Sequence, residues 1–440
     1  MAPKDEVLED VAGRIAANKI NLVRMMLVDL HGIARAKQVT AEYFLEVARS
    51  GHTWATPLLA VDLIQDFGAD VEIGLDNAPL IPDLSTFAEL PWRPGTAHVI
   101  CDVALDAEVV TARASLRKVV DDARALGYVA SVGNEIEFYV YRPDGGGFTS
   151  DIDIREWYSD QALGIMAPLL EALNSHLQAV GVPVYEIFNE HGAGQFELNM
   201  RPGGPLESAD RIFVAKAAIK EIARMHGLRA TFMTKPDNDP GVVPSGFHVH
   251  QTIGDLEGIN LFRSDGEAAL TGTGLNYVAG QLAHAGALTA FAAQTVNAYK
   301  RFTPGTWAPL TASWSVDHRG TMVRAIPAGA NTRVENRLGA SDANPYLIVA
   351  SQLASGILGV REGLTPPPPQ PLRGSSDPSA AAKLPGTLIE AVQALESDAA
   401  LGSALGARFV SYYSAMLRNE FRRFQLTVTD WEIQEYREIV

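Results

Sequence analysis

The stretch Gly133-Asn-Glu-Ile-Glu-Phe-Tyr-Val140 decides how the rest of the sequence is interpreted. In an extended strand, successive side chains point to opposite faces, so Glu135 and Glu137 share one face and the apolar residues between them share the other. Two adjacent carboxylates repel each other unless a cation lies between them or one of them takes up a proton. Taken alone, the stretch is also compatible with a solvated edge strand that carries two surface glutamates.

The same alternation recurs in three further stretches, which makes the edge-strand interpretation weaker. They are Gln195-Phe-Glu197-Leu-Asn199, Phe247-His248-Val249-His250 and Arg333-Val-Glu335-Asn-Arg337. Each stretch places side chains that bind metals or phosphate at every second position. Together they predict one curved sheet whose concave face is lined with Glu, His and Arg. Such a face would hold divalent cations and a polyanion.

The composition is that of a soluble globular protein with more than one domain. The chain has 440 residues, of which 47% are hydrophobic and 20% charged, and its formal net charge is -16. An acidic balance argues against nucleic acid and anionic membranes as partners. The single cysteine, Cys101, excludes a disulfide framework, and the acidic N-terminal residues are unlike a signal peptide. We therefore expect a cytoplasmic protein.

The chain divides into two parts by pattern. The first quarter contains one amphipathic helix, followed by short strands and proline-rich turns with few candidate catalytic groups. The remainder alternates long helical stretches with the polar strands described above. The sequence contains no internal repeat and neither of the common Gly-rich nucleotide loops. The first quarter therefore resembles a small, mostly β domain.

The polar stretches occur in an order that resembles the glutamine synthetase family, in particular its bacterial type I members. The motifs are Gly133-Asn-Glu-Ile-Glu137, Glu190-His-Gly-Ala-Gly-Gln-Phe-Glu197, Lys235-Pro236, Ser245-Gly-Phe-His-Val-His250, Asn297-Ala-Tyr-Lys-Arg-Phe-Thr-Pro-Gly305, Arg333-Val-Glu-Asn-Arg337 and Asn344-Pro-Tyr-Leu347. The resemblance covers nearly the whole chain, from Pro82-Asp-Leu-Ser-Thr86 to Val428-Thr-Asp-Trp-Glu432.

The resemblance implies a fold and an assembly. The fold would be of the α+β class: residues 1–105 would form a small N-terminal β-grasp domain, and residues 106–440 a large catalytic domain with a curved antiparallel sheet flanked by helices. Members of the family form homo-oligomers of two hexameric rings, a dodecamer. Each active site lies between neighbouring subunits, and the N-terminal domain of one subunit closes the site of the next.

The resemblance also implies metal ligands and nucleotide contacts. Glu137, Glu190 and Glu197 match the ligands of a first metal, and Glu135, His248 and Glu335 those of a second. Oxygen-rich sites of this kind suit Mg²⁺ or Mn²⁺, bound together with ATP. His250 and Arg333 match ATP contacts, with Arg319 and Arg324 beside them. His250 could instead be a satisfied core histidine.

Several positively charged residues match groups that act on the substrates. Arg319, Arg324 and Arg337 match arginines that hold the transferred phosphate. Arginine suits this role because its guanidinium can donate two hydrogen bonds at once to phosphoryl oxygens. Arg301 matches the arginine that binds the carboxylate of the amino acid. We therefore assign catalytic roles to Arg301, Arg319 and Arg337. Arg324 and Arg337 could instead be salt-bridge residues.

Two positions depart from members that use ammonia. Those members carry an aspartate where this chain has Ala55, after Trp54, and a glutamate where it has Trp307. A pocket without both carboxylates should bind ammonium poorly, since burying a cation without a counter-charge is costly. We expect an organic alkyl or aryl amine that contacts Trp54, Ala55 or Trp307. Alternatively, Trp307 only packs the segment that follows Pro304-Gly305, and another acid, Asp62 or Asp66, binds the ammonium.

Two further departures concern the acceptor loop and regulation. The loop Gly241-Val-Val-Pro-Ser-Gly246 is longer than usual, and Pro244 stands near a glycine that cradles glutamate in the family. Gly246 and Arg337 belong with Arg301 among the predicted substrate-binding residues. Ala382 occupies the position of the regulatory tyrosine, so we expect no adenylylation there.

The predicted function is an ATP-dependent ligase of the γ-glutamylamide branch. It would phosphorylate the γ-carboxylate of glutamate and join it to the amine, giving a γ-glutamylamide, ADP and phosphate, as in amine catabolism. Two alternatives remain open. One is an ordinary glutamine synthetase that uses ammonia, and the other is a non-catalytic protein with this fold.

Overall fold

The computed structural model describes residues 4–59, 61–64, 76–103, 111–143, 157–239, 241–266, 268–371 and 381–440. It contains two sheets and a set of helices that cover them. No helix in these ranges is both long and apolar enough to cross a bilayer. The mixed α+β class predicted from the sequence is confirmed.

The first sheet has six strands and lies entirely within residues 22–103. Its strands are β1 (Leu22–Val28), β2 (Ala34–Thr40), β3 (His52–Ala55), β4 (Asn77–Pro82), β5 (Ala88–Glu89) and β6 (Thr96–Val103). Their order is β2-β1-β6-β4-β3, and β5 also pairs with β6. Only β1 and β6 are parallel; the helix α1 (Lys4–Ala17) precedes β1, and α2 (Ala41–Val47) follows β2.

The second sheet has eight strands and carries the polar stretches. They are β7 (Val129–Tyr141), β8 (Val184–Asn189), β9 (Gln195–Met200), β10 (Arg229–Thr231), β11 (Gly246–Gly254), β12 (Trp314–Val316), β13 (Val323–Ile326) and β14 (Arg333–Ala340). Their order is β12-β13-β14-β11-β7-β9-β8, with β10 paired to β7. All pairs except β12 with β13 are antiparallel, and the sheet curls into a half-barrel.

Helices flank this sheet. They are α3 (Ala112–Ala125), α4 (Asp160–Ala179), α5 (Pro205–Met225), α6 (Gly272–Ala283), α7 (Ala285–Ala292), α8 (Pro345–Glu362), α9 (Leu388–Ser397), α10 (Ala399–Leu405), α11 (Ala407–Gln425) and α12 (Asp430–Tyr436). Single 3₁₀ turns lie at Thr56–Leu59, Leu84–Thr86, Val296–Arg301 and Gly329–Asn331.

Helix α8 is the central helix, and its sequence explains both of its ends. Asn344 caps its N-terminus by accepting hydrogen bonds from the N–H groups of residues 346 and 347. Gly363 ends it in the left-handed conformation, with φ of 63°. In between, α8 packs against α6 so closely that a Cβ on Gly280 would lie 2.7 Å from the backbone nitrogen of Gly359.

The two sheets share one continuous hydrophobic core. The side chain of Asn344 donates hydrogen bonds to the carbonyl groups of Asp29 and Leu30, which form the turn between β1 and β2. The division into domains at residue 105 stays a prediction, although the strands of the first sheet end at Val103 and those of the second begin at Val129.

Candidate active site

The strand register brings the polar side chains of four neighbouring strands into one row. On one side of β7, Glu137 pairs with Glu197 of β9. On its other side, Glu135 pairs with His248 of β11. Strand β14 then sets Glu335 opposite His250. Because side chains alternate between faces, these residues point to the same concave surface.

This surface opens into a cavity of about 580 Å³. Of the residues predicted to bind metals or substrates, those that line it are Glu135, Glu137, Glu190, Glu197, His248, Arg301, Trp307, Arg319 and Arg337. The predicted residues Gly246, His250 and Glu335 bond directly to lining residues. Arg324 and Arg333 do not line the cavity and bond instead to Glu335 and His250, respectively.

Three carboxylates, those of Glu137, Glu190 and Glu197, line the cavity. Burial and the charge of Glu190 raise the pKa of Glu137 to about 7, although Arg301 partly offsets the effect. Burial, followed by Glu135, Glu137 and Glu190, raises the pKa of Glu197 well above its ordinary value. Burial also raises the pKa of Glu190. Such a group favours the uptake of positive charge.

A second group of acids is compensated by imidazole and guanidinium groups. The Nε2 atom of His250 lies 2.7 Å from Glu135, and the Nδ1 atom of His248 lies 3.2 Å from the same carboxylate. Burial alone would raise the pKa of Glu135, but the two histidines hold it well below its ordinary value. Likewise, Arg337 overcomes burial and lowers the pKa of Glu335 to about 2.

The donor sets fit divalent cations. Two groups have one ligand atom from each residue within 4.8 Å of one another, namely Glu135, Glu197 and His248, and Glu135, His250 and Glu335. Carboxylate oxygens with one imidazole per group suit Mg²⁺ or Mn²⁺. This grouping divides the ligands differently from the expected two sets, because Glu135 is common to both groups and His250, expected at ATP, belongs to one of them.

Arg301 is held deep in the cavity and close to the metal-ligand candidates. It is only 4% exposed, and burial lowers its pKa to about 10. Its guanidinium donates to the carbonyl of Arg337 at 3.2 Å and lies 3.4 Å from the Nε2 atom of His248. A Cβ on Gly246 would come within 2.9 Å of this guanidinium, so only glycine fits there.

The other predicted arginines lie along β13, β14 and the loop before them. Arg337 donates to the carbonyl of Arg319 at 2.8 Å, which joins the two residues. Arg324 pairs with Glu335 at 3.1 Å and also with Asp317. Arg333 donates to the Nδ1 atom of His250 at 3.1 Å. These cations form a positively charged border beside the acidic groups.

The acceptor loop is fixed by residues that the sequence analysis did not identify. Tyr139 donates to the carbonyl of Val243 at 2.8 Å. Gln195 donates to both Glu137 and Ser245 at 2.9 Å. Tyr139 could have been found, because it follows Glu135 and Glu137 at the same two-residue spacing. Pro244 itself lines the cavity, as expected for a residue near the acceptor.

Aromatic side chains form another part of the cavity wall. The ring centroids of Trp157 and His191 are 4.3 Å apart, and those of Trp157 and Trp307 are 5.5 Å apart. The prediction identified Trp307 but not Trp157 or His191. Trp157 follows a polar, Gly-rich stretch without periodicity, and His191 lies inside a recognised motif without a role assigned to it.

The predicted residues of the first sheet are not brought to this cavity. Trp54 and Ala55 lie on β3, and neither lines the cavity of its own chain. Asp62, weighed as a substitute acid, pairs instead with Arg423 at 3.0 Å, and Asp66 lies outside the described residues. Ala382 is exposed, and its carbonyl accepts a hydrogen bond from Ala312.

Comparisons with known proteins agree with this architecture. The family described as "Glutamine synthetase, catalytic domain" matches residues 110–436. A glutamate–isopropylamine ligase from Pseudomonas sp. is 32% identical over 99% of both chains. A gamma-glutamylethanolamide synthetase from Streptomyces coelicolor is 31% identical over 97% of this chain and 95% of its own. Among solved structures, the GmaS/ADP complex superposes with a TM-score of 0.88 at 30% identity, covering 98% of this chain and 99% of its own.

Proposed function

Since the chain belongs to the glutamine synthetase family and is an ATP-dependent ligase, we propose that it joins the γ-carboxylate of glutamate to an organic amine. The products would be a γ-glutamylamide, ADP and phosphate. The observation that carries the proposal is the cavity wall itself. It combines the carboxylates of Glu137, Glu190 and Glu197 with an exposed indole, that of Trp307, at a position where ammonia-using relatives are expected to carry an acid.

The carboxylate face is suited to hold divalent cations beside ATP. Glu135, Glu197 and His248 would share one ion, and Glu135, His250 and Glu335 another, with Glu137 and Glu190 completing the shells. When bound, such ions neutralise phosphate charge during phosphoryl transfer. The chain's own contribution is to fix these donors on neighbouring strands, so that little rearrangement is needed when the ions bind.

The arginine border is suited to hold the anionic parts of the substrates. Arg301, buried and next to Gly246, would bind the carboxylate of glutamate. Arg319 and Arg337, which are joined by a hydrogen bond, would hold the transferred phosphoryl group, with Arg324 beside them. Arg333 and His250 form a connected pair that would contact ATP. These assignments follow the family resemblance and the adjacency of the groups.

The amine would enter from the aromatic side of the cavity. Trp307 is 56% exposed, so its face is open to a ligand. An apolar substituent buried against it would gain about 25 cal/mol for each square ångström removed from water. Ammonia has no substituent and would gain nothing from this contact.

We further propose that the first sheet acts on the site of a neighbouring subunit. Trp54 and Ala55 do not line the cavity of their own chain, which is expected if they complete another subunit's cavity in a ring. Mixing Arg301→Ala subunits with subunits that carry Ala55→Arg tests this idea. Restored activity in the mixture supports shared sites, whereas additive loss argues for a site within one chain.

A panel of amines tests the proposed function. Phosphate release from ATP would be measured with glutamate and each of ammonia, methylamine, ethanolamine, isopropylamine, putrescine and aniline. We expect at least one organic amine to exceed ammonia in kcat/KM. Faster turnover of ammonia than of every organic amine would instead identify an ordinary glutamine synthetase. Absence of amine-dependent phosphate release would favour a non-catalytic protein.

A further inference from the structure

The side chains of Trp157, His191 and Trp307 form a continuous surface on one side of the cavity, which we call the aromatic wall. Trp157 contacts both of the others, with ring centroids 4.3 Å from His191 and 5.5 Å from Trp307. Trp157 remains 45% exposed and Trp307 56% exposed. The wall therefore presents a large apolar area that the fold itself leaves uncovered.

The backbone is strained at Trp307 in the wall and at Tyr158, the residue after Trp157. Among the described residues, only four that are not glycine have positive φ, and they include Trp307 at 59° and Tyr158 at 55°. A bulky side chain in the left-handed region is unfavourable, because its Cβ crowds the following carbonyl. Burial cannot compensate at Trp307, whose side chain is more than half exposed. Strain of this kind concentrates at functional sites.

The wall joins the carboxylate group directly. The backbone N–H of His191 donates to the carboxylate of Glu190 at 2.9 Å, so the two residues are held in one turn. The same cavity contains Arg301. A ligand could therefore have its nitrogen near the glutamates and its substituent on the wall.

The arrangement of the rings favours a flat substituent over a small cation. The ring planes of Trp157 and Trp307 are inclined at 59°, so they present two ring faces set at an open angle and not a cage around a ligand. An aromatic cage recognises ammonium groups by surrounding them with ring faces. An open angle instead suits another ring, which can lie on one indole face with its edge towards the other and gains both buried area and favourable ring contacts.

We propose that the aromatic wall binds the substituent of the amine and selects amines that carry a flat apolar ring, such as benzylamine or aniline. The inference rests on the proposed ligase function and deepens it by naming the substrate class. It also assigns a role in specificity to Trp157 and His191, in addition to Trp307.

Matched amines on the wild-type protein provide the first test. Phosphate release would be measured for benzylamine, cyclohexylmethylamine, isopropylamine and methylamine, with glutamate and ATP saturating. Ring contacts predict kcat/KM for benzylamine about tenfold or more above that for isopropylamine. They also predict a smaller preference for benzylamine over cyclohexylmethylamine, which is similar in size but not flat.

Variants of the wall provide the second test. Trp157→Ala and Trp307→Gly should raise the KM for benzylamine about tenfold or more and affect methylamine less, while the KM values for glutamate and ATP stay near wild type. Trp157→Phe keeps a ring and should show an intermediate effect. Trp307→Gly should leave the Tm unchanged or raise it, because glycine accepts positive φ. Trp431, 59% exposed on α12, supplies the control variant Trp431→Ala, which should change none of these constants.

The outcomes separate this inference from the proposed function. If organic amines are used but benzylamine is not preferred, or the wall variants weaken all amines equally, the wall does not select the substituent and the ligase function stands. If no amine supports phosphate release, both ideas fail. A fall in Tm in Trp307→Gly with unchanged amine selectivity would show that Trp307 serves packing alone.

Discussion

Two buried groups of carboxylates in this protein differ in how their charge is balanced. In one, which we call the Arg113 clasp, a guanidinium only 1% exposed bonds to Asp102 at 2.6 Å, Asp83 at 2.7 Å and Asp210 at 2.9 Å. The clasp joins the first sheet to helix α5. In the other, Glu137, Glu190 and Glu197 line the active-site cavity, and the arginines beside them only partly offset the effect of burial on their pKa values.

The comparison distinguishes carboxylates that stabilise the fold by pairing with an internal arginine from carboxylates that are available to bind a ligand. In the clasp, Ser85 and Arg113 outweigh burial and lower the pKa of Asp83. Burial still raises the pKa of Asp210, but its oxygens accept hydrogen bonds from Arg113 and Tyr346, and we take this pair as charged. In the cavity, by contrast, the pKa of every member is raised. These groups therefore favour a bound cation or an added proton.

Removal of the internal cation should produce the largest effect. Arg113→Met leaves Asp83 and Asp210 without their arginine and Asp102 with Arg117 alone, so we expect the free energy of unfolding to fall by about 3–5 kcal/mol. Urea denaturation followed by circular dichroism measures it. The control is Arg117→Met, since Arg117 also pairs with Asp102 but is 43% exposed, and its loss should cost under about 1 kcal/mol. Equal effects in the two variants would contradict the proposed difference.

Neutralisation of a cavity carboxylate should affect catalysis more than stability. Glu197→Gln removes one charge from the crowded group, so kcat/KM should fall about 100-fold or more. The Tm of the metal-free protein should not decrease, because repulsion with Glu135 and Glu137 is relieved. Glu396→Gln, which removes a surface partner of Arg418, serves as the control for both measurements. A metal-free Tm several degrees lower in Glu197→Gln would show that this group is structural.

Addition of a divalent cation should stabilise the cavity and leave the clasp unaffected. Mn²⁺ or Mg²⁺ at about 100 times its Kd should add about 2.7 kcal/mol to the free energy of unfolding. The gain should be largely lost in Glu197→Gln and after chelation by EDTA, and thermal unfolding against metal concentration measures it. An identical gain in wild type and Glu197→Gln would place the ions elsewhere.

The pH dependence of the metal-free protein should be the smallest of these effects. The pKa of Glu137 rises from 4.5 to about 7 on folding, so the folded chain binds more protons than the unfolded chain between these values. Stability contributed by this group is therefore complete below about pH 4.5 and is lost as the pH rises towards 7. We expect Tm in EDTA to fall across this window, and Mn²⁺ to flatten the fall. A Tm that climbs with pH in EDTA and is insensitive to Glu137→Gln would contradict this explanation.

Local patterns in the sequence predict the polar face of the second sheet, and the family resemblance predicts the fold class. The two-residue spacing of Glu135 and Glu137 set their common face, and the family, the fold class and the ligase activity are confirmed. The site assignments stay predictions, and the pairing of Glu135 with both histidines depends on strand order, which spacing cannot reveal. The Arg113 clasp was missed because its partners are up to 97 residues away. Trp157 was missed because nothing periodic surrounds it.

The turn between β1 and β2 limits how this protein can be divided or recombined. Asn344 both starts the central helix and holds the carbonyl groups of Asp29 and Leu30. A fragment that begins after the first sheet would leave that amide unpaired and expose the apolar side of the shared core. In a chimera with a relative, the turn and the residues around Asn344 should therefore come from the same parent protein, even though more than 300 positions of sequence separate them.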